Sequence, residues 1–167
     1  MPDPADLLAV ARLLLNAGAT QPSDAQLRRA VSTAYYALFH KILRAAAQRF
    51  IGPNQEGSAG YAILYRSFDH RHMKVICEAL AVSKLKDTLK RQLGRDAVSQ
   101  DMRNFAYAFP VLQDVRHLAD YDPTAFFQQS DVASLIDATE VAMADFDRAA
   151  PDEQTDVMVL MMVRARG

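Results

Sequence analysis

The sequence LRRAVSTAYYALFHKILRAAAQRF, residues 27–50, contains neither glycine nor proline. Its apolar residues recur at steps of three and four, which is the pattern of one face of an α-helix. At 1.5 Å per residue, such a helix is about 35 Å long. Ser23 and Gln26 precede it with the spacing of a capping box, so we expect the helix to begin beside them.

A second face of the same helix is polar and aromatic. It carries Arg29, Ser32, Tyr36 and His40, which are three or four residues apart and therefore project from one side. One interpretation is a solvated face with two packed tyrosines. The other is a binding cleft lined by a cation, a hydroxyl, a phenol and an imidazole.

The rest of the chain is also typical of helices. Half of the residues are hydrophobic, glycine and proline number only 6 and 7, and no useful alternating strand pattern occurs. We therefore predict an all-α fold, an antiparallel bundle of about five to six helices. We expect one domain over residues 1–167, with loop or variable segments at 52–60 and 83–97 and a terminal helix at 151–167.

Local signals place the helix ends. Asp3-Pro4 predicts the start of a first helix, which closes at Asn16-Ala17-Gly18. A third helical region is predicted at 61–81, with a break near 67–69. Ser130 is a candidate N-cap for the helix that follows it. Gly94 should close a short helix within 83–95.

Two later segments have distinctive patterns. Pro110 should kink or split the helix predicted at 99–121, because its ring removes a hydrogen-bond donor and clashes with the preceding turn. Residues 157–163 are apolar on every side. We expect them to be buried in the core or against a second subunit.

Charge is distributed unevenly along the chain. The net charge is −1, but residues 1–95 carry +7 and residues 96–167 carry −8. The stretch 83–95 is the most basic and is a candidate phosphate-facing surface. Its alternative is an ordinary solvated face. His70 and His72 would point to opposite sides of a helix, so we predict no metal site and no cofactor.

Other features bear on location. The start of the chain has no basic region typical of a signal peptide, and its longest apolar run is too short to cross a bilayer. Cys77 is the only cysteine, which excludes an internal disulfide and fits a small core residue. We expect a cytoplasmic protein that does not enter a membrane.

Arg116 lies one turn beyond Leu112, on the apolar stripe of the helix predicted at 99–121. A guanidinium on a core-facing stripe must be paired or must line a cleft, because an isolated buried charge is costly. Asp120 lies one turn further and is its natural partner. We therefore expect Arg116 to approach the side of the long helix that carries Tyr36.

Two segments together resemble one family. RRAVSTAYYALFH, residues 28–40, resembles the central helix of HEPN domains, the higher eukaryotes and prokaryotes nucleotide-binding domains. LQDVRHLADYDP, residues 112–123, resembles the motif helix of a prokaryotic branch of that family, with Arg-x-x-Ala-Asp-Tyr at its centre.

This resemblance implies a helical bundle that often forms homodimers. The activity it implies is metal-independent cleavage of RNA, commonly in toxin–antitoxin or defence systems. In family members that cleave RNA, an arginine is followed after four to six residues by histidine. Arg116 matches the arginine and His117 the polar residue that often follows it, but Tyr121 stands where histidine is expected.

That difference affects the chemistry. Attack by a 2′-hydroxyl requires a base and an acid that exchange protons near neutral pH. An imidazole, with a pKa of about 6.5, suits this role better than a phenol, with a pKa of about 10. Cleavage therefore requires His117 or His40 to supply the imidazole. His117 is adjacent to Arg116 but lies about 100° around the helix.

Three hypotheses follow. In the first, the chain binds or cleaves RNA, with Arg116, His117, Asp120 and Tyr121 as candidate catalytic residues and the polar face of the long helix as binding surface. In the second, it is a non-catalytic, dimeric module that binds a nucleotide or a protein partner. In the third, Arg116 and Asp120 are a buried ion pair with a structural role.

Overall fold

The structure is a computed structural model that describes residues 2–16 and 21–163. Within this part of the chain it has eight helices and no strand. They are α1 (Pro4–Asn16), α2 (Asp24–Phe50), α3 (Ala59–Arg66), α4 (His70–Leu80), α5 (Asp87–Leu93), α6 (Gln100–Tyr121), α7 (Gln129–Arg148) and α8 (Pro151–Met162). The all-α prediction is confirmed.

The predicted count of five to six helices is too low. Residues 67–69 separate α3 from α4, and α5 forms its own short helix that Gly94 ends in the left-handed conformation, at φ 64°. Both of these local predictions are confirmed. The number of helices is higher because short non-helical segments, such as residues 67–69, divide longer helical regions into two. The HEPN-like arrangement of the bundle remains a prediction.

The chain divides into two compact units. The first contains the described residues of 1–41 and 111–143, and the second those of 42–110 and 144–163. Helices α2, α6 and α7 each contribute residues to both units.

In the first unit, α1, α2, α6 and α7 share one apolar core. Its buried members are Leu8, Ala11, Leu15, Leu27, Ala30, Val31, Ala34, Ala37, Ala119, Val132 and Ile136. Alanine supplies five of these positions, and its small side chain lets the helices approach closely. The first half of the predicted apolar face of α2, at Leu27, Val31 and Ala34, therefore lies in this core.

The predicted start of α2 is confirmed. The backbone N–H of Ser23 donates to Oε1 of Gln26 at 2.8 Å, and the N–H of Gln26 donates to Oγ of Ser23 at 3.3 Å. This reciprocal pair is a capping box, which satisfies N–H groups that have no partner within the helix. Similarly, Asp3 accepts from the N–H of Ala5 at 2.9 Å at the start of α1.

Some of the predicted helix ends need correction. Helix α7 begins at Gln129, so Ser130 lies in its first turn and does not precede it. Helix α6 runs through Pro110, so it is not split there, and the alternative of a kink stays a prediction. The predicted C-cap of α1 at Ala17 and Gly18 falls outside the described residues.

The second unit is packed around large aromatic and sulfur-containing side chains. The Phe105 and Phe146 rings are 5.1 Å apart between centroids, and both are fully buried. Cys77 is buried as predicted, and burial raises the pKa of its thiol well above its usual value. Such a thiol behaves as a small apolar side chain.

Helix α8 begins at Pro151 as predicted, but it is not buried on all sides. Val157, Met158 and Met161 are buried, whereas Val159 and Val163 are 39% and 61% exposed. Burial within this chain is therefore limited to one face of the helix, and burial of the other face against a second subunit stays a prediction. Residues 164–167 of the predicted terminal helix fall outside the described residues.

Glu153 connects the first turn of α8 to the start of α6. Its carboxylate is 3% exposed and accepts hydrogen bonds from the N–H of Ser99 at 2.8 Å, from Oγ of Ser99 at 2.5 Å and from Nη1 of Arg95 at 3.2 Å. Arg95 also contacts Asp152 and Asp156. This buried charge is therefore fully paired, which makes the contact sensitive to removal of either partner.

We expect Glu153→Gln to lower the free energy of unfolding by about 2–4 kcal/mol, because the amide cannot accept every donor that the carboxylate accepts. Urea denaturation measures this change. Asp152→Asn is the matched control, since Asp152 is 75% exposed and contacts the same Arg95. It should cost less than about 1 kcal/mol. Equal losses in the two variants would contradict the buried role of Glu153.

Candidate functional site

The last two turns of α6 and the middle of α2 bring most of the predicted site residues together in the first unit. Nη2 of Arg116 donates a hydrogen bond to the hydroxyl of Tyr36 at 2.8 Å. Its Nε lies 2.7 Å from Oδ2 of Asp120, as the sequence led us to expect. The Arg116 side chain is 18% exposed, so its charge is largely withdrawn from water.

Asp120 has a second partner on α2. The hydroxyl of Ser32 donates to Oδ1 of Asp120, and Ser32 itself is 1% exposed. The carboxylate therefore bridges Arg116 and Ser32. Ser32 and Tyr36 lie one turn apart on α2, as do Arg116 and Asp120 on α6. The two pairs form one group of four side chains, joined by two hydrogen bonds and the Arg116–Asp120 ion pair, which we call the Arg116 cluster.

Aromatic rings flank the Arg116 guanidinium. Its central carbon is 5.3 Å from the ring centroid of Tyr36 and 5.6 Å from that of Tyr121. Both distances are within the range of cation–π attraction. Burial alone would lower the pKa of Arg116, but its electrostatic interactions with Tyr36, Asp120 and Tyr121 raise it above its usual value. Arg116 is therefore a permanent cation.

One edge of Arg116 is still available. Its Nη1 makes no hydrogen bond to the described residues, and it is not among their buried atoms that lack a partner. Solvent therefore reaches Nη1, while Nη2 and Nε are engaged by Tyr36 and Asp120. A guanidinium held in this way can bind an oxyanion without a large further loss of side-chain freedom.

Tyr121 and His117 lie on the exposed side of the same helix end. Tyr121 is 65% exposed, His117 is also exposed, and their ring centroids are 4.9 Å apart. His117 makes no hydrogen bond to Arg116, in agreement with its predicted offset around the helix. The two rings form a small aromatic surface beside the available edge of Arg116.

The other predicted binding residues are placed differently. The His40 ring is half-buried, with its centroid 6.1 Å from that of Tyr36, and burial lowers its pKa. Lowering the pKa keeps this imidazole neutral. Arg29 is exposed and does not join the Arg116 cluster. The predicted polar face of α2 is thus divided, with Ser32 and Tyr36 inside the cluster and Arg29 in solvent.

Arg28 is the important residue that the sequence analysis did not single out. Its Nη1 donates to the carbonyls of Ala119 and Asp122 at 3.2 and 2.8 Å, and its Nη2 donates to the carbonyl of Ala125 at 2.5 Å. Two of these acceptors lie at or just beyond the C-terminal end of α6. Carbonyls there have no partner within the helix and carry its negative dipole end, so a guanidinium is a favourable cap.

Arg28 and Arg29 are adjacent, so residue type by itself does not separate them. Only the helical rotation of about 100° between them sends Arg28 toward α6 and Arg29 into solvent. Asp24 could have indicated Arg28 over Arg29 as the paired residue, because it lies four residues before Arg28. Its carboxylate pairs with Nε of Arg28 at 2.7 Å.

The basic stretch predicted as a phosphate-facing surface is partly occupied by internal contacts. Arg95 binds Glu153 and two further acids, and Lys90 pairs with Asp96 at 3.1 Å. Lys84, Lys86 and Arg91 are exposed. This stretch belongs to the second unit, and it contains none of the residues of the Arg116 cluster.

Residues 2–16 and 21–163 contain no group of three or more histidine, cysteine, aspartate or glutamate side chains that could hold a metal ion. In the same ranges, every helix is too short or too polar to cross a membrane.

Comparison of the chain with protein-family models, with curated proteins and with solved structures finds no match.

We expect Arg28→Ala to lower the free energy of unfolding by about 2–3 kcal/mol, because part-buried carbonyls at the end of α6 lose their donors. Arg29→Ala is the matched control and should change it by less than about 0.5 kcal/mol, since Arg29 is exposed. Urea denaturation measures both, and amide hydrogen exchange of residues 118–122 should accelerate only in Arg28→Ala. Similar losses in the two variants would contradict the capping role.

Proposed function

We propose that this chain is a HEPN-like protein that binds single-stranded RNA at the exposed side of the Arg116 cluster. The proposal is carried by one observation, that Tyr36 and Asp120 hold the Arg116 guanidinium while its Nη1 stays open to solvent. A phosphate oxygen is the acceptor that such a fixed, permanently charged group binds best. The resemblance of residues 28–40 and 112–123 to HEPN motifs supports the same surface.

The aromatic surface beside Arg116 favours a single strand. Bases that are not paired can stack on exposed aromatic rings, and such stacking is a general feature of single-stranded RNA recognition. Tyr121 and His117 offer two rings within reach of each other. A duplex keeps its bases stacked on one another and could not use these rings.

Cleavage is the further step that the HEPN resemblance implies. In a metal-independent reaction, a base removes the proton of the 2′-hydroxyl and the 2′-oxygen attacks phosphorus. The bond to the 5′-oxygen then breaks, and that oxygen takes up a proton from a solvent water molecule. The products are a 2′,3′-cyclic phosphate and a 5′-hydroxyl.

We assign the base to His117. It is the exposed imidazole next to Arg116, whereas His40 is half-buried on α2. Arg116 would stabilise the negative charge that develops on the phosphoryl oxygens. Tyr121 occupies the place of the histidine in the family pattern, and its hydroxyl would donate a hydrogen bond to the same oxygens.

We expect Arg116→Ala to weaken binding of a single-stranded RNA. The slope of the logarithm of the association constant against the logarithm of the salt concentration should become shallower by about 0.7, the value for loss of one phosphate contact. Fluorescence anisotropy at several salt concentrations measures this. Arg12→Ala is the control, because Arg12 is an exposed cation of the first unit that pairs with Asp137 and Glu140. Binding that is equal in wild type and Arg116→Ala would refute the site.

Cleavage is tested separately with His117→Ala, whose exposed side chain can be removed without disturbing the fold. In the presence of EDTA, the wild-type protein should produce RNA ends that carry a 2′,3′-cyclic phosphate, and His117→Ala should not, although it still binds RNA. A wild-type protein that binds RNA and leaves it intact would show that the site has only a binding function.

The same end of α6 supports a second candidate, a homodimeric interaction module. Val111, Leu118 and Tyr121 are 46%, 45% and 65% exposed, and their spacing of seven and three residues places them on one face of the helix. Exposed apolar residues in a helical row are typical of helix pairing between subunits. The HEPN resemblance implies a homodimer as well.

We expect Leu118→Glu to convert a dimer to a monomer, because a charge at the centre of this row would be buried without a partner. Sedimentation velocity over a range of concentrations measures the change. Val141→Glu is the matched control, since Val141 is 59% exposed on α7. If the wild-type protein stays monomeric at the highest concentration reached, this second function is wrong.

A further inference from the structure

A separate pocket of about 430 Å³ lies in the first unit, at the start of α2 and the connection from α6 to α7. Its lining residues are Gln21, Pro22, Asp24, Leu27, Phe126, Phe127, Gln128, Gln129 and Ser130. The volume is within the range of pockets that hold small molecules. None of the lining residues belongs to the Arg116 cluster.

The apolar part of the pocket is formed by flat rings. Phe126 is 80% exposed, although a phenylalanine ring is normally withdrawn from water. Phe127 is half-buried, and the Arg28 guanidinium carbon lies 5.6 Å from its ring centroid. Leu27 is buried at 7% exposure. These surfaces are suited to a planar ligand that stacks on Phe126.

The polar part consists of amides and a hydroxyl. Nε2 of Gln129 donates to the carbonyl of Leu15 at 3.1 Å, which holds this side chain in place. The side-chain amides of Gln21 and Gln128 make no hydrogen bond to the described residues. A glutamine amide carries both donors and an acceptor, which matches the mixed donor and acceptor edge of a heteroaromatic ring.

The charges around the pocket are already paired. Asp24 is the only charged lining residue, and its carboxylate pairs with Nε of Arg28 at 2.7 Å. The other nitrogens of Arg28 donate to backbone carbonyls. No lining side chain is a cation, so the pocket offers a phosphate group no oppositely charged side chain.

We propose that this pocket binds a free, uncharged heteroaromatic ligand of nucleoside size. The ligand stacks on Phe126 and exchanges hydrogen bonds with the amides of Gln21 and Gln128. This proposal does not depend on the proposed RNA function, because it uses different residues and requires no phosphate contact.

Titration of the full chain with adenosine, followed by ligand-observed NMR or calorimetry, tests the proposal. We expect saturable binding that Phe126→Ala weakens by about tenfold, the usual loss when a stacking ring is removed. Gln128→Ala should weaken it as well. The matched control is Tyr107→Ala, since Tyr107 is 70% exposed on α6 and belongs to the second unit.

Two further titrations sharpen the result. Adenosine 5′-monophosphate should bind no more tightly than adenosine, because the pocket has no cation for its phosphate. Phe126→Ala should leave the binding of single-stranded RNA unchanged, because its side chain is exposed and lies outside the Arg116 cluster, which separates this pocket from the proposed RNA site. The proposal is overturned if adenosine does not saturate, if Phe126→Ala binds it as well as wild type, or if the monophosphate binds markedly more tightly.

Discussion

The packing of α6 against α2 in the first unit depends on the free-energy cost of removing the Arg116 guanidinium from water. Arg116 is 18% exposed, and a charge in that position is tolerated only when hydrogen bonds and an opposite charge replace its hydration. Asp120 supplies the charge, and Tyr36 supplies the hydroxyl acceptor. Asp120 is itself satisfied by Ser32. Each of these four side chains therefore requires the others, and together they fix how this part of α6 lies against α2.

Arg28 also joins α2 to the end of α6, but here the two helices exchange roles. In the Arg116 cluster, α6 provides the cation and α2 provides a hydroxyl, whereas Arg28 is a cation on α2 that binds carbonyls at and beyond the end of α6. It also neutralises Asp24 and lies over the Phe127 ring. The functional surfaces proposed for the first unit thus rest on two arginines, one on each helix, that are fixed by their partners.

This arrangement separates two kinds of chemistry. At the Arg116 cluster, a positive edge remains open next to exposed rings, which suits a charged and partly aromatic ligand such as RNA. At the pocket beside Phe126, every nearby charge is already paired and only amides and rings remain, which suits an uncharged ligand. An arginine lies beside each site, so the difference does not come from residue composition. It depends on whether the nitrogens of that arginine are already bound by other groups of the protein.

Much of the local structure was determined by the sequence alone. The capping box at Ser23, the closing role of Gly94 and the pairing of Arg116 with Asp120 depend on residues within a few positions of each other, so their spacing was sufficient to predict them. Three features depend on residues about 80–110 positions apart: the choice of Arg28 over Arg29, the solvent-facing edge of Arg116 and the pocket beside Phe126. Only the tertiary structure decided these, because the packing of α2 against α6 and α7 selects which side of each helix is withdrawn from water.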